Sequence, residues 1–169
     1  ERGAVPRERR NYLAYPAFLH CLMPELPDIE VYLERLAAFV GGEMLERIEV
    51  RNPFVLRSVE PPIQELVGHR VVSTRRIGKR IVLGFEGDLF LVVHLMIAGR
   101  LRWRPGAKAV GGKLVLAAFS FPTGVLHLTE AGSTRRASMH VVAGEAALAT
   151  FDRGGLEVRD LPLAAFLLR

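Results

Sequence analysis

The sequence holds a single cysteine, Cys21, so no disulfide can form within the chain, and no Cys or His cluster has zinc-finger spacing. No metal site is expected. No apolar run approaches the roughly 18–20 residues that a membrane-spanning helix needs. Internal repeats and low-complexity tracts are also missing, which leaves one domain to explain. Aromatic residues make up only 8% of the 169, yet 50% of the chain is hydrophobic, carried mainly by Val, Leu and Ala. That composition excludes disorder over the whole length and suits a folded core built without disulfides or metals.

Acidic residues are the minority charge: 23 Lys and Arg stand against 18 Asp and Glu, a net +5. A basic balance permits nucleic acid or another polyanion as partner without proving it. Residues 1–22 contribute four Arg and two Glu, so the remainder carries 19 basic and 16 acidic side chains, a moderate +3. This leader, ERGAVPRERRNYLAYPAFLHCL, places basic residues before a short apolar stretch, as a signal peptide does. Pro16 and His20 interrupt that stretch and no small-residue cleavage site follows, so it is read as a segment outside the native fold, and the protein as cytoplasmic.

After the leader, Pro27 suits the first turn of a helix, and Asp28 and Glu30 suit its positive end. Ile29, Leu33, Leu36, Ala37 and Val40 fall on one face, and Gly41-Gly42 stops the helix. The period then shortens to that of strands: residues 45–51, 70–76, 79–86, 89–95, 100–104, 113–121, 125–130 and 136–142. Gly87-Asp88 and Pro122-Thr123-Gly124 read as hairpin turns, residues 131–134 as a loop, and 61–68 as a short helix. The fold class expected is α+β, mainly β: a two-sheet antiparallel β-sandwich with flanking helices. Residues 144–169 turn helical again, with Gly154-Gly155 as a break, and LAAFLLR begins another helix.

The stretch MPELPDIEVYLERL, residues 23–36, carries the chemistry. Proline has a chemical use only at a chain terminus, where its ring nitrogen is a secondary amine able to attack an electrophilic carbon and form a Schiff base. If translation starts at Met23 and that methionine is removed, Pro24 becomes such an amine and Glu25 its nearest carboxyl, a nucleophile beside a general acid. The bland alternative is that Pro24 and Pro27 shape the approach to a helix. Lys79 likewise reads either as a solvated turn lysine or, with Arg75, Arg76 and Arg80, as part of a phosphate-facing strand pair. His94, in the apolar run LFLVVHL, reads as a partly buried, hydrogen-bonded histidine or as a ligand contact.

MPELPDIEVYLERL resembles the opening of the formamidopyrimidine-DNA glycosylase and endonuclease VIII family, bifunctional enzymes that excise oxidised bases. RRIGKRIVL, which supplies Lys79, and HLMIAGRL, residues 94–101, resemble two further family segments in the same order, and an Arg-Arg loop follows a strand hairpin. The resemblance covers most of residues 23–160. It implies a catalytic N-terminal domain over 23–150 and, over 151–169, a linker leading into a truncated helix–two-turn–helix domain. It implies a Schiff-base nucleophile at Pro24, a proton donor at Glu25, a phosphate grip assisting elimination at Lys79, and a supporting carboxylate at Asp28. His94, Met96, Ile97, Arg80, Arg135 and Arg136 would touch DNA. The implied partner is duplex DNA with oxidised bases or abasic sites, bound by a nucleoid-associated bacterial monomer without a membrane. No cofactor is implied for this segment, and zinc belongs to a C-terminal finger beyond it.

Three departures stand out. Met96-Ile97 replaces the usual Gly-Met, so Ile97 takes the place of the inserting methionine, and Ala98 that of a serine. In LTEAGSTRRASMH the loop before Arg135 and Arg136 is long, and Ala137 stands where an aromatic wedge is expected. By the resemblance, this chain is expected to be a catalytic half without its clamping domain. Two readings therefore accompany the glycosylase: a non-catalytic damaged-DNA binder, and a β-sandwich that holds another polyanion.

Overall fold

The structure, a computed structural model, describes residues 24–106, 111–131, 134–152 and 154. The expected leader and the expected helix in LAAFLLR lie outside the described residues. Among the described residues the chain forms a helix, α1 (Leu26–Val40), then eight strands and a short helix. The strands are β1 (Arg47–Val50), β2 (Val71–Ile77), β3 (Arg80–Phe85), β4 (Leu89–His94), β5 (Gly99–Pro105), β6 (Val115–Phe121), β7 (Gly124–Glu130) and β8 (Ser138–Ala143). The last helix is α2 (Glu145–Ala149). The strands make two antiparallel sheets, in the orders β1-β6-β7-β5 and β2-β3-β4-β8. The expected sandwich with flanking helices is the fold observed.

Tight turns set the registers. Gly78 adopts φ +55° between β2 and β3, a left-handed conformation that glycine reaches without a Cβ clash. Gly87 and Asp88, at φ +79° and +59°, close the hairpin from β3 to β4, as their sequence predicts. In the paired strands Arg80 lies opposite His94 and His94 opposite Ser138, while Gly99 lies opposite Glu130. The chain passes between sheets three times, through residues 51–70, 95–98 and 131–137.

Buried side chains from both sheets and α1 share one core, including Leu45, Ile81, Leu91, Leu116, Phe119, Leu128 and Met139. The helix buries Ile29, Tyr32, Leu36 and Val40, each worth about 1.5–3 kcal/mol before the entropy of ordering. Here the structure corrects the expected face: Tyr32 is inside, Leu33 half-buried and Ala37 exposed. Phe39 explains the rotation, since its ring stacks on Trp103 of β5 at 5.4 Å. The helix ends as expected, with the Gly41 N–H donating to the Ala37 carbonyl and the Gly42 N–H to Val71 of β2.

Two other expectations change. The short helix at 61–68 is a 3₁₀ turn, Ile63–Leu66, and a second 3₁₀ turn occupies Pro53–Val55. β1 and β8 are also shorter than their apolar runs. On the outer face of the second sheet, Val82, Phe90 and Val92 are covered by Leu148 of α2 and by Phe151.

Candidate functional site

The amino end of α1 faces the turn between β2 and β3. Pro24 is buried at the head of the helix, and the Glu25 N–H donates to the Asp28 carboxylate at 2.9 Å. That bond satisfies a donor which the first helical turn leaves unpaired, and it fixes the backbone of residue 25. Asp28 thus touches Glu25 through its backbone. Across the gap, Lys79 Nζ lies 2.6 Å from Glu25 Oε2. Both side chains are substantially exposed, so the pair adds little stability.

One helical turn on, Glu30 Oε1 accepts from Arg76 Nε at 2.7 Å, with Arg76 only 13% exposed. The pleat of β2 and the turn after it divide the basic cluster in two. Arg76 and Lys79 meet the carboxylates of α1. Arg75 instead pairs with Glu145 of α2 at 2.5 Å, above the Phe90 ring, and Arg80 lies over the Phe151 ring and donates to its carbonyl at 3.4 Å.

His94 is half-buried at the end of β4, beside Arg80 in the sheet register. The tight passage that follows places Met96 at φ +56°, half-buried, and leaves Ile97 45% exposed. Gly99 closes this turn, because a Cβ there would collide with the Leu95 carbonyl oxygen. Of the two apolar residues expected to meet DNA, Ile97 is the one presented to solvent.

The passage through residues 131–137 begins at a residue that sequence reasoning missed. Glu130, at the end of β7, is 1% exposed, and its carboxylate accepts from the backbone N–H groups of Arg136 and Ala137 at 3.0–3.3 Å. A buried charge held by backbone donors organises the loop from inside and leaves Arg135 and Arg136 exposed. Its signal in the sequence was slight: an acidic residue closing the apolar strand VLHLTE. Ala137 is buried, so a side chain at that position faces the core.

On the outer face of the first sheet, His127 is 5% exposed and its pKa is lowered, first by burial and then by the guanidinium groups of Arg104 and Arg51. His140, beside Phe151, is likewise lowered by burial and by Arg80 and Arg57. Among the described residues no group of three His, Cys, Asp or Glu is arranged to hold a metal ion. No helix among them is long and apolar enough to cross a membrane.

Residues 23–153 match the family model for the formamidopyrimidine-DNA glycosylase N-terminal domain. Among curated proteins, the formamidopyrimidine-DNA glycosylase of Heliobacterium modesticaldum is 36% identical over 81 residues, 47% of this chain and 29% of that protein. The Aromatoleum aromaticum enzyme of the same name is 40% identical over 81 residues, again 47% of this chain and 30% of its own length. The matches thus span about 30% of the length of these relatives. Among solved structures, the Lactococcus lactis Fpg bound to Fapy-dG-containing DNA superposes with a TM-score of 0.67 at 23% identity, covering 75% of this chain and 47% of that one. The same protein bound to abasic-site DNA gives 0.68 at 22% identity, covering 76% and 47%.

Proposed function

The chain belongs to the formamidopyrimidine-DNA glycosylase family through its N-terminal domain, and on that footing we propose that it is the catalytic part of a DNA glycosylase with lyase activity. Its substrate is duplex DNA carrying an oxidised base or an abasic site, met by a cytoplasmic monomer. The observation that carries this reading is the junction of Pro24, Glu25 and Lys79 at the head of α1.

The reaction needs the Pro24 nitrogen as a free amine, and therefore a protein in which Pro24 is the first residue. Its lone pair attacks C1′ of the damaged nucleotide, a C1′–N bond forms, and the bond from C1′ to the base breaks. After the nitrogen loses its proton, Glu25 protonates the ring oxygen O4′ as the C1′–O4′ bond opens, leaving a cationic Schiff base. Loss of a proton from C2′ then expels the 3′ phosphate oxygen and cuts the strand. Lys79 exchanges its Glu25 partner for the phosphate beside the lesion, which frees the carboxyl group for the sugar. Ile97 and the Arg135–Arg136 loop contact the duplex around the everted nucleotide.

The test is borohydride trapping on a duplex with one abasic site, using protein that begins at Pro24. A covalent protein–DNA band is expected, lost in Pro24→Gly and absent when residues 1–22 remain attached. Tight DNA binding without any band overturns the catalytic reading in favour of a non-catalytic damage binder, and trapping by the uncut chain refutes Pro24 as nucleophile.

A further inference from the structure

A recess of about 470 Å³ opens between the end of β1 and the Arg135 loop. Arg51, Asn52, Gly112, Lys113, Val115 and Arg135 line it. Three of the six are cations and none is acidic, so the recess repels itself in the absence of an anion.

The walls are held by the backbone. The N–H groups of Arg51 and Asn52 both donate to the Leu116 carbonyl, at 2.8 and 3.1 Å, which pins the end of β1 to the start of β6. The Arg51 guanidinium reaches the Gly112 carbonyl at 3.3 Å and so ties this corner to the segment that bears Lys113. Arg135 is presented by the loop that Glu130 anchors.

Two residues along the chain from Asn52, which lines the recess, is Phe54. The Asn52 side chain caps the 3₁₀ turn by accepting from the Phe54 N–H at 3.1 Å, Val55 is buried, and Phe54 is left 76% exposed. Among the described residues it is the one aromatic side chain that the fold leaves exposed. A duplex with an everted nucleotide has a gap in its base stack, and position 137, being turned inward, cannot fill it.

We propose that this corner is a second nucleotide subsite: Arg51, Lys113 and Arg135 take a backbone phosphate away from the reacting one, and the Phe54 ring stacks on an adjoining base left without its neighbour. The assignment rests on the DNA reading above. Aromatic stacking beside a cationic groove is a sequence-tolerant way to hold an unstacked base.

The experiment measures affinity of the full chain for an abasic-site duplex at several salt concentrations, with 2-aminopurine opposite the lesion. Removing Arg51 and Lys113 together, each to Ala, is expected to lower the slope of log affinity against log salt by about 0.9, the loss of one phosphate contact. Lys113→Gln alone is expected to lower it in the same direction by a smaller amount and serves if the double variant does not fold. Phe54→Ala is expected to keep the slope, weaken binding roughly 5- to 150-fold and abolish the change in 2-aminopurine emission. An unchanged slope in the folded charge variants, or unchanged affinity in Phe54→Ala, overturns the subsite. A parent chain without salt-dependent binding overturns the DNA reading itself.

Discussion

Replacing Glu130 with alanine should release the Arg135–Arg136 loop. The carboxylate is 1% exposed and is the acceptor for two backbone N–H groups, those of Arg136 and Ala137. Truncation leaves two donors without a partner at a site closed to bulk water, at about 1–3 kcal/mol each, and water entering the vacated space recovers part of that. A loss of about 3 kcal/mol follows, or roughly 10 °C in melting temperature for a domain of this size. Glu130→Gln keeps one acceptor oxygen and should lose about half as much. Because Arg135 and Arg136 are exposed, trypsin reports on the loop directly. If opening precedes cleavage, the loss corresponds to cutting faster by on the order of 100-fold. A Glu130→Ala protein that melts within about 1 °C of its parent and is cut no faster would refute the anchoring role.

Asp28→Ala should cost about 1 kcal/mol through the lost helix-start bond to the Glu25 N–H, with Asp28→Asn recovering most of it, as thermal unfolding would show. Unchanged stability in Asp28→Ala would rule the cap out. The pKa values of His127 and His140 are lowered from 6.5, so the unfolded chain binds protons that the fold does not. Their contribution to stability is complete above about pH 6.5 and is lost as the pH falls from there toward the folded values. Unfolding between about pH 7.5 and 5.5 should show this decline, and His127→Leu should flatten it. An equally steep decline in His127→Leu would remove that residue from the account.

Much of the fold was legible because strand alternation and turn residues act locally. Gly78, Gly87 and Asp88 mark turns whatever surrounds them, and the eight apolar runs became the eight strands with ends moved by one or two residues. The helix face was misread because Tyr32 and Phe39 are placed by partners on distant strands, which a 3.6-residue period does not register. At the site, Pro24, Glu25 and Lys79 were named from motif resemblance, whereas the Glu25–Lys79 pair, Glu130 and the Glu30–Arg76 pair depend on chain segments that meet only after folding. The basic cluster at 75–80 was visible as composition. Its division between α1 and α2 follows from the pleat and required the partners to be known.

The passages between sheets, those at 95–98 and 131–137 among them, also make the core a ruler. Face-to-face sheets lie about 10 Å apart, which is close to three base-pair steps at roughly 3.4 Å each. Groups borne by one sheet, such as Lys79 and His94, are therefore held at a fixed offset from Arg51 and Glu130 on the other. That offset is set by buried side chains such as Phe119, Leu128 and Met139 rather than by any residue that meets the ligand. Thinning the core at these positions would shift Lys79 and His94 relative to Arg51 and Glu130. Substitutions far from the surface would then retune the spacing between the two groups, while every side chain that bears a charge was retained.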